Sequence, residues 1–383
     1  MNILFCTFSY YPAVTGGAER QARLQAQELV RRGHRVTVVC PRSDGLSSET
    51  IERVRVIRLC RVERWPVTRI SYFLRLFPWL LRHVGKFDLV HVHLANIQAD
   101  LAVFAARRWR RPTYLKLACG GPVGEVKRLA RVALFTHWYG FRHADRIQAL
   151  SSEIADELIG IGVREDRIVQ IPNGIDLDEF APVDHNRCRQ LRAKLDLPAD
   201  RVTALFVGRL VDYKGIGDLF AAWPQVRLED VTLVVVGATD EDVSAPPGVI
   251  VRRWVPSPKE YMQAADVFVH PSHADGMSNA VLEAMACGLP LVATKHGATH
   301  GFMEDGHEAL LVPAGDPRAL AAALERALSE PTLRRSLATA ARESAGRYGL
   351  SRVVDRIESE HHELVKSRPR AGFVSRIGWS LRS

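Results

Sequence analysis

Residues 266–294 read DVFVHPSHADGMSNAVLEAMACGLPLVAT, and the rest of the chain falls into place around them. Val267-Phe268-Val269 is a short apolar run of the buried-strand type. Pro271 and Ser272 break it, and Asp275-Gly276-Met277-Ser278-Asn279 makes a turn of small residues. Ala280 to Ala286 is rich in helix formers, and Gly288 and Pro290 stop the helix. Leu291-Val292-Ala293 opens another strand. Free N–H groups at the start of such a helix, together with its dipole, favour an anion, above all a phosphate. Ser278 or Asn279 is placed to cap the helix. Glu283 lies one turn in, on a face that reaches back over the turn. On spacing alone the unit is equally an ordinary, well-capped turn of a doubly wound sheet.

The residue types go further. Asp275, seven intervening residues and Glu283, followed by AMACGLPLVAT, resemble the acidic signature of the retaining glycosyltransferases of family 4. That signature usually has Glu at both ends; Asp275 is one methylene shorter and keeps the charge. Three further stretches, in family order, carry the resemblance. They are Gly16-Gly17 with Glu19, the run IPNGID (171–176) with Phe180, and Gly208-Arg209 with Lys214-Gly215. The last places two cations at the carboxyl end of a strand, the usual ligand edge of such sheets. Arg presents a planar fork to phosphate oxygens, and Lys a mobile point charge.

The resemblance implies an α/β, GT-B architecture: two Rossmann-like domains facing a central cleft. Residues 1–182 would form the acceptor-side domain and 183–351 the nucleotide-sugar domain. A C-terminal tail, about 352–383, would cross back to the first domain. It implies donor contacts at Gly16, Gly17, Arg209, Lys214, Val255, Gly276, Met277, Ser278, Asn279 and Glu283. Asp275, Arg209 and Lys214 would carry catalysis. No metal or other cofactor is implied, and Arg209, Lys214 and the helix start are the groups that would neutralise a diphosphate. Many members end the strand before Gly120 in His-Gly; here Ala118-Cys119 stands there, with Lys116 or Glu125 as candidate substitutes. His93, in the strand run DLVHVH (88–93), is a weaker site candidate, because two histidines without a third ligand are no metal site.

Length and composition suit a soluble globular protein of two domains: 383 residues, 47% hydrophobic and 25% charged. Six scattered cysteines without a Cys-x-x-Cys pair suggest a reduced compartment and neither a disulfide frame nor a zinc site. The opening MNILFCTFSYYPAVTGG does not read as a signal peptide, and no apolar run is long enough to cross a membrane. The opening βαβ pattern lacks Gly-x-Gly-x-x-Gly, which argues against a nicotinamide site. The net charge of +9 is uneven: residues 1–180 hold 27 basic and 18 acidic side chains, residues 181–383 hold 25 of each.

Three stretches mix basic with aromatic and aliphatic residues: 65–86, 127–146 and the C-terminal RPRAGFVSRIGWSLRS. They suit contact with an anionic membrane surface; the first equally suits a core-packing helix pair, interrupted at Pro78. The expected function is transfer of a sugar from a nucleotide diphosphate sugar to a carbohydrate acceptor such as a lipid-linked glycan. The setting is cell-envelope or exopolysaccharide assembly on the inner face of the cytoplasmic membrane. A nucleotide-sugar epimerase of the same fold is the alternative within enzymes. A basic nucleic-acid-binding protein is the alternative outside them, although no nucleic-acid motif accompanies the charge.

Overall fold

The computed structural model describes residues 1–12, 16–42, 47–59, 67–131, 138–239, 243–296 and 299–367. The first eight strands are β1 (Asn2–Cys6), β2 (Arg35–Pro41), β3 (Ser48–Ile51), β4 (Val54–Leu59), β5 (Leu89–His93), β6 (Thr113–Lys116), β7 (Arg146–Ala149) and β8 (Ile168–Gln170). They form one sheet in the order β3-β4-β2-β1-β5-β6-β7-β8, parallel except for β3 against β4. A second sheet holds β9 (Val202–Val207), β10 (Val231–Ala238), β11 (Val249–Arg253), β12 (Val267–His270), β13 (Leu291–Lys295) and β14 (Ala309–Pro313). Its order is β11-β10-β9-β12-β13-β14, all parallel. The architecture is the α/β, GT-B arrangement read from the sequence.

Strand order explains where a ligand must sit. In the first sheet the winding reverses between β1 and β5, and in the second between β9 and β12. At such a switch point adjacent connections leave in opposite directions and open a crevice beyond the carboxyl ends. The central strands are buried on both faces, as their near-continuous Val, Ile and Leu demand, while β3, β4, β8 and β11 toward the sheet edges are partly exposed. Rigid edges therefore carry the loops at Gly208-Arg209 and His270–Asp275.

The C-terminal helix Leu350–Ser367 packs on the first sheet's side of the molecule. Arg32 reaches Asp355 at 2.6 Å and Glu358 at 2.8 Å, and Arg146 meets Glu360 at 2.7 Å. The chain crosses between the sheets twice in one place, where Ile175 N–H donates to Tyr348 and Leu350 N–H donates to Ile175.

One local expectation is corrected. The run 65–86 does not break into a helix pair: one helix spans Val67–His83 with Pro78 inside it. Pro78 and Leu74 both lie on the exposed side, so the carbonyl that Pro78 cannot satisfy faces water. The charged segment 332–366 is two helices, Pro331–Ala345 and Leu350–Ser367, separated at Gly346–Gly349. The short antiparallel edge strand β3 has no apolar run to announce it. The candidate membrane segment at 368–383, and residues 132–137 of the stretch 127–146, lie outside the described residues.

Candidate active site

The two sheets face each other across a cavity of about 430 Å³ lined by both. Its second-domain wall is built from the ends of β9 and β12. Gly215 adopts φ +70°, and a Cβ there would fall 1.9 Å from the Pro271 carbonyl oxygen. Only glycine allows the turn Asp212–Lys214 to press so closely on β12. That approach delivers Lys214 Nζ to 2.5 Å from Asp275 Oδ2. His270 Nε2 stands 3.4 Å from the same oxygen. Burial alone would raise the Asp275 pKa, but the Lys214 charge and His270 hold the carboxyl well below the usual range. Asp275 is therefore a fixed anion and Lys214 its cation, both facing the cavity.

Arg209 lies on the exposed rim, where its guanidinium donates to the Tyr213 hydroxyl. Glu19, from the Gly16-Gly17 loop, is half enclosed; burial raises its pKa against the pull of Arg209. Trp254 and Val255 line the same cavity.

The turn after Asp275 does not cap its helix as expected. Ser278 occupies the cap position, but its side chain makes no capping bond to Asn279–Ala286. Asn279 turns away from its own helix: its Nδ2 donates to the Gly17 carbonyl at 2.9 Å, and its Oδ1 accepts from Gln21 and Asn173, each at 3.1 Å. The side chain expected to close the helix instead ties the two domains together. Met277 is buried, and its carbonyl accepts from Asn173 Nδ2 at 2.9 Å.

Glu283 is buried within the helix and meets Arg20 of the first domain, Oε1 to Nη1, at 3.0 Å. Burial raises its pKa to about 7 in spite of Arg20. Of the first-domain candidates, Gly16 and Gly17 line the cavity, while His93 is buried in the sheet and stacked on His91 at 4.4 Å. Glu125 does not reach the cavity as a substitute for the absent histidine. Its two oxygens accept from the N–H groups of Ala118 and Cys119 at 2.9 and 2.8 Å, holding that loop in place.

The structure thus gathers Gly16, Gly17, Arg209, Lys214, Val255, Asp275, Met277, Ser278, Asn279 and Glu283 around one cavity. Gly276 sits beside it, its Cα side against the Ala118 carbonyl. Arg20 and Asn173 line it too, and Gln21 bonds Asn279, all three unsuspected from the sequence as partners of Glu283 and Asn279. Their signal was there: Arg20 and Gln21 follow Glu19 on the first helical turn, and Asn173 belongs to the run IPNGID.

Residues 15–179 match the family described as Glycosyltransferase Family 4, and residues 201–330 match Glycosyl transferases group 1. The chain is 32% identical, over 306 residues, to a D-inositol 3-phosphate glycosyltransferase of Nocardiopsis dassonvillei, covering 71% of this chain and 69% of that one. The chain belongs to the family 4 glycosyltransferases. A putative teichuronic acid biosynthesis glycosyltransferase of Bacillus subtilis is 26% identical, covering 85% of this chain and 89% of that protein. Among solved structures, Anabaena HepE in complex with UDP-glucose superposes with a TM-score of 0.78 at 21% identity, covering 95% of this chain and all of that one. WaaG, a glycosyltransferase of lipopolysaccharide biosynthesis, superposes at 0.70 with 19% identity, covering 94% and 99%. The family placement selects a glycosyltransferase over the epimerase alternative.

Proposed function

We propose that this family 4 glycosyltransferase takes its sugar from a nucleotide diphosphate sugar, without a metal, and transfers it with retained configuration. One observation carries the reading. Arg209 and Lys214 flank the same cavity as the start of the helix Asn279–Ala286, whose cap position makes no side-chain bond. Two cations and unspent N–H groups around one space suit a diphosphate, and such groups act most strongly on charge that develops as the sugar leaves. Glu283, already an acceptor for Arg20, would accept from the ribose hydroxyls, and Asp275 from those of the sugar. Trp254 and Val255 would flank the base. HepE, with its UDP-glucose complex, makes uridine the first base to test and guanosine the second.

The acceptor in this reading is a carbohydrate, a lipid-linked glycan of cell-envelope assembly, met at an anionic inner membrane surface. Among the described residues no helix is long and apolar enough to cross a membrane. The helix Val67–His83 buries Tyr72, Leu76 and Leu80 but leaves Ile70 59% and Leu74 69% exposed. Both expectations for that stretch, core packing and surface contact, are compatible with this split, because one face serves each. Co-sedimentation with anionic but not neutral vesicles, reduced by Leu74→Asp, is the expected result.

The donor reading is tested by thermal stabilisation with UDP, GDP, ADP and their sugars in EDTA, on wild type and Arg209→Ala. A shift with one nucleotide, lost in the variant, is expected. A shift that appears only with added Mg²⁺ would overturn the metal-free reading.

A further inference from the structure

Lys116 is a charge that the diphosphate does not need. It ends β6, is 2% exposed, and nevertheless lines the cavity. Its Nζ donates to the Asn173 Oδ1 at 2.8 Å, and that acceptor is neutral. Glu125 is the nearest acidic influence, but both its oxygens are committed to backbone N–H groups, and the two form no ion pair among the described residues. Glu125 thus offsets part of the burial without touching the ammonium, whose direct partner is a neutral amide, and a ligand anion in contact would offset the rest. Burial already pulls the Lys116 pKa down to about 8.

Its position says which part of the ligand it faces. Asn173, which holds Lys116, also donates to the Met277 carbonyl, so the ammonium stands one amide away from the turn Asp275–Asn279. Two residues beyond Lys116, the Ala118 carbonyl packs against Gly276 of that turn. Asp275 would not repel an anion here, because Lys214 already compensates it. Ala118 contributes only a methyl group, which leaves room beside Lys116.

We propose that Lys116, with the space at Ala118, forms a subsite for the carboxylate of an acidic sugar, so that the donor is a nucleotide-linked hexuronate. The inference rests on the donor reading given above. An ammonium–carboxylate contact shielded from water is a charge-assisted hydrogen bond, roughly twice as strong as a neutral one. A neutral hexose would leave Lys116 with only its amide partner.

Calorimetric titration of wild type and Lys116→Met tests it, with no acceptor needed. Each protein is titrated with UDP and GDP alone, then with the hexuronate and the neutral hexose of whichever nucleotide binds. The expected result is that wild type binds the hexuronate donor at least about tenfold more tightly than the hexose donor. Lys116→Met should abolish that preference and leave the bare nucleotide unaffected. Nucleotide binding with no preference for the acidic donor overturns this inference and leaves the donor reading intact. Equal weakening of the bare nucleotide in Lys116→Met assigns Lys116 to the diphosphate, which also overturns it. No nucleotide binding to wild type overturns both. Should Lys116→Met not fold, the wild-type preference alone decides.

Discussion

Arg20 and Glu283 join the two domains across the cleft, guanidinium to carboxylate, at 3.0 Å. The pair costs the empty enzyme something. Glu283 is buried, and its pKa stands near 7 instead of 4.5, so holding it ionised at neutral pH costs about 3 kcal/mol. A carboxyl whose folded pKa is raised stabilises the fold below its unfolded pKa, and that contribution fades as pH rises through 7. Glu283→Gln should therefore raise the melting temperature at pH 8 and change it little at pH 4.5. It should also weaken donor binding, because a neutral amide accepts hydroxyl hydrogen bonds less well than a carboxylate. A lower melting temperature at pH 8 would show that the Arg20 contact outweighs the burial cost.

Lys214 and Asp275 present the opposite case, a buried pair that holds its charges. Removing one partner of such a pair leaves the other uncompensated, at about 3 kcal/mol. Lys214→Met should lose that much stability at pH 7 by denaturant titration. It should regain part of it as pH falls toward 5, since burial then raises the Asp275 pKa with His270 alone opposing it. Adding Asp275→Asn should restore stability and leave activity low. Wild-type stability and turnover in Lys214→Met would remove the pair from the proposed site.

How much of this was legible in advance follows from where each signal resides. Gly208-Arg209, Lys214-Gly215 and the span Asp275 to Glu283 are local: each is a strand end, a turn and a charge, and the sheet delivers them to one edge. The strand order supplies the cleft, and alternating βα units announce it. What could not be read is what forms only when the domains meet. Gln21 and Asn279 are 258 residues apart, and nothing local marks them as partners. Asn279 looked like a cap because its neighbours are those of a cap; the proximity of Gly17 turned it outward. Pro78 looked like a break because its exposure, and so the hydration of the freed carbonyl, is a tertiary property.

Gly276 tests whether the domain approach matters for catalysis. A Cβ on residue 276 would lie 1.8 Å from the Ala118 carbonyl oxygen, and backbone cannot yield by that much. Gly276→Ala should therefore hold the domains apart without unfolding either sheet. Displacement on the ångström scale can cost about a hundredfold in rate. Transfer should fall by that order with an unchanged melting temperature, and small-angle scattering should show a larger radius of gyration. Normal transfer by a folded Gly276→Ala protein would show that the reaction does not need this contact.

The C-terminal helix Leu350–Ser367 should leave the first domain as the solution is acidified. His361 is fully buried against His91 and Tyr114, and burial lowers its pKa to about 3. Keeping it neutral stabilises the fold above 6.5, and this stability is lost as pH falls from 6.5 toward 3. Glu358 acts in the same direction: against the effect of burial, Arg32 and His34 draw its pKa down to about 2. Its contribution is present above 4.5 and is lost as pH falls toward 2. The two windows overlap below 4.5, so release should begin below about pH 6 and steepen below 4.5. Hydrogen exchange over residues 350–367, corrected for intrinsic rates, should rise by up to tenfold per pH unit for each group that titrates. His361→Phe keeps an aromatic ring in the same place and removes the first titration, so its onset should move down toward pH 4.5. Protection that persists to pH 4 in wild type, or an onset unmoved in His361→Phe, would show that some other contact holds the helix.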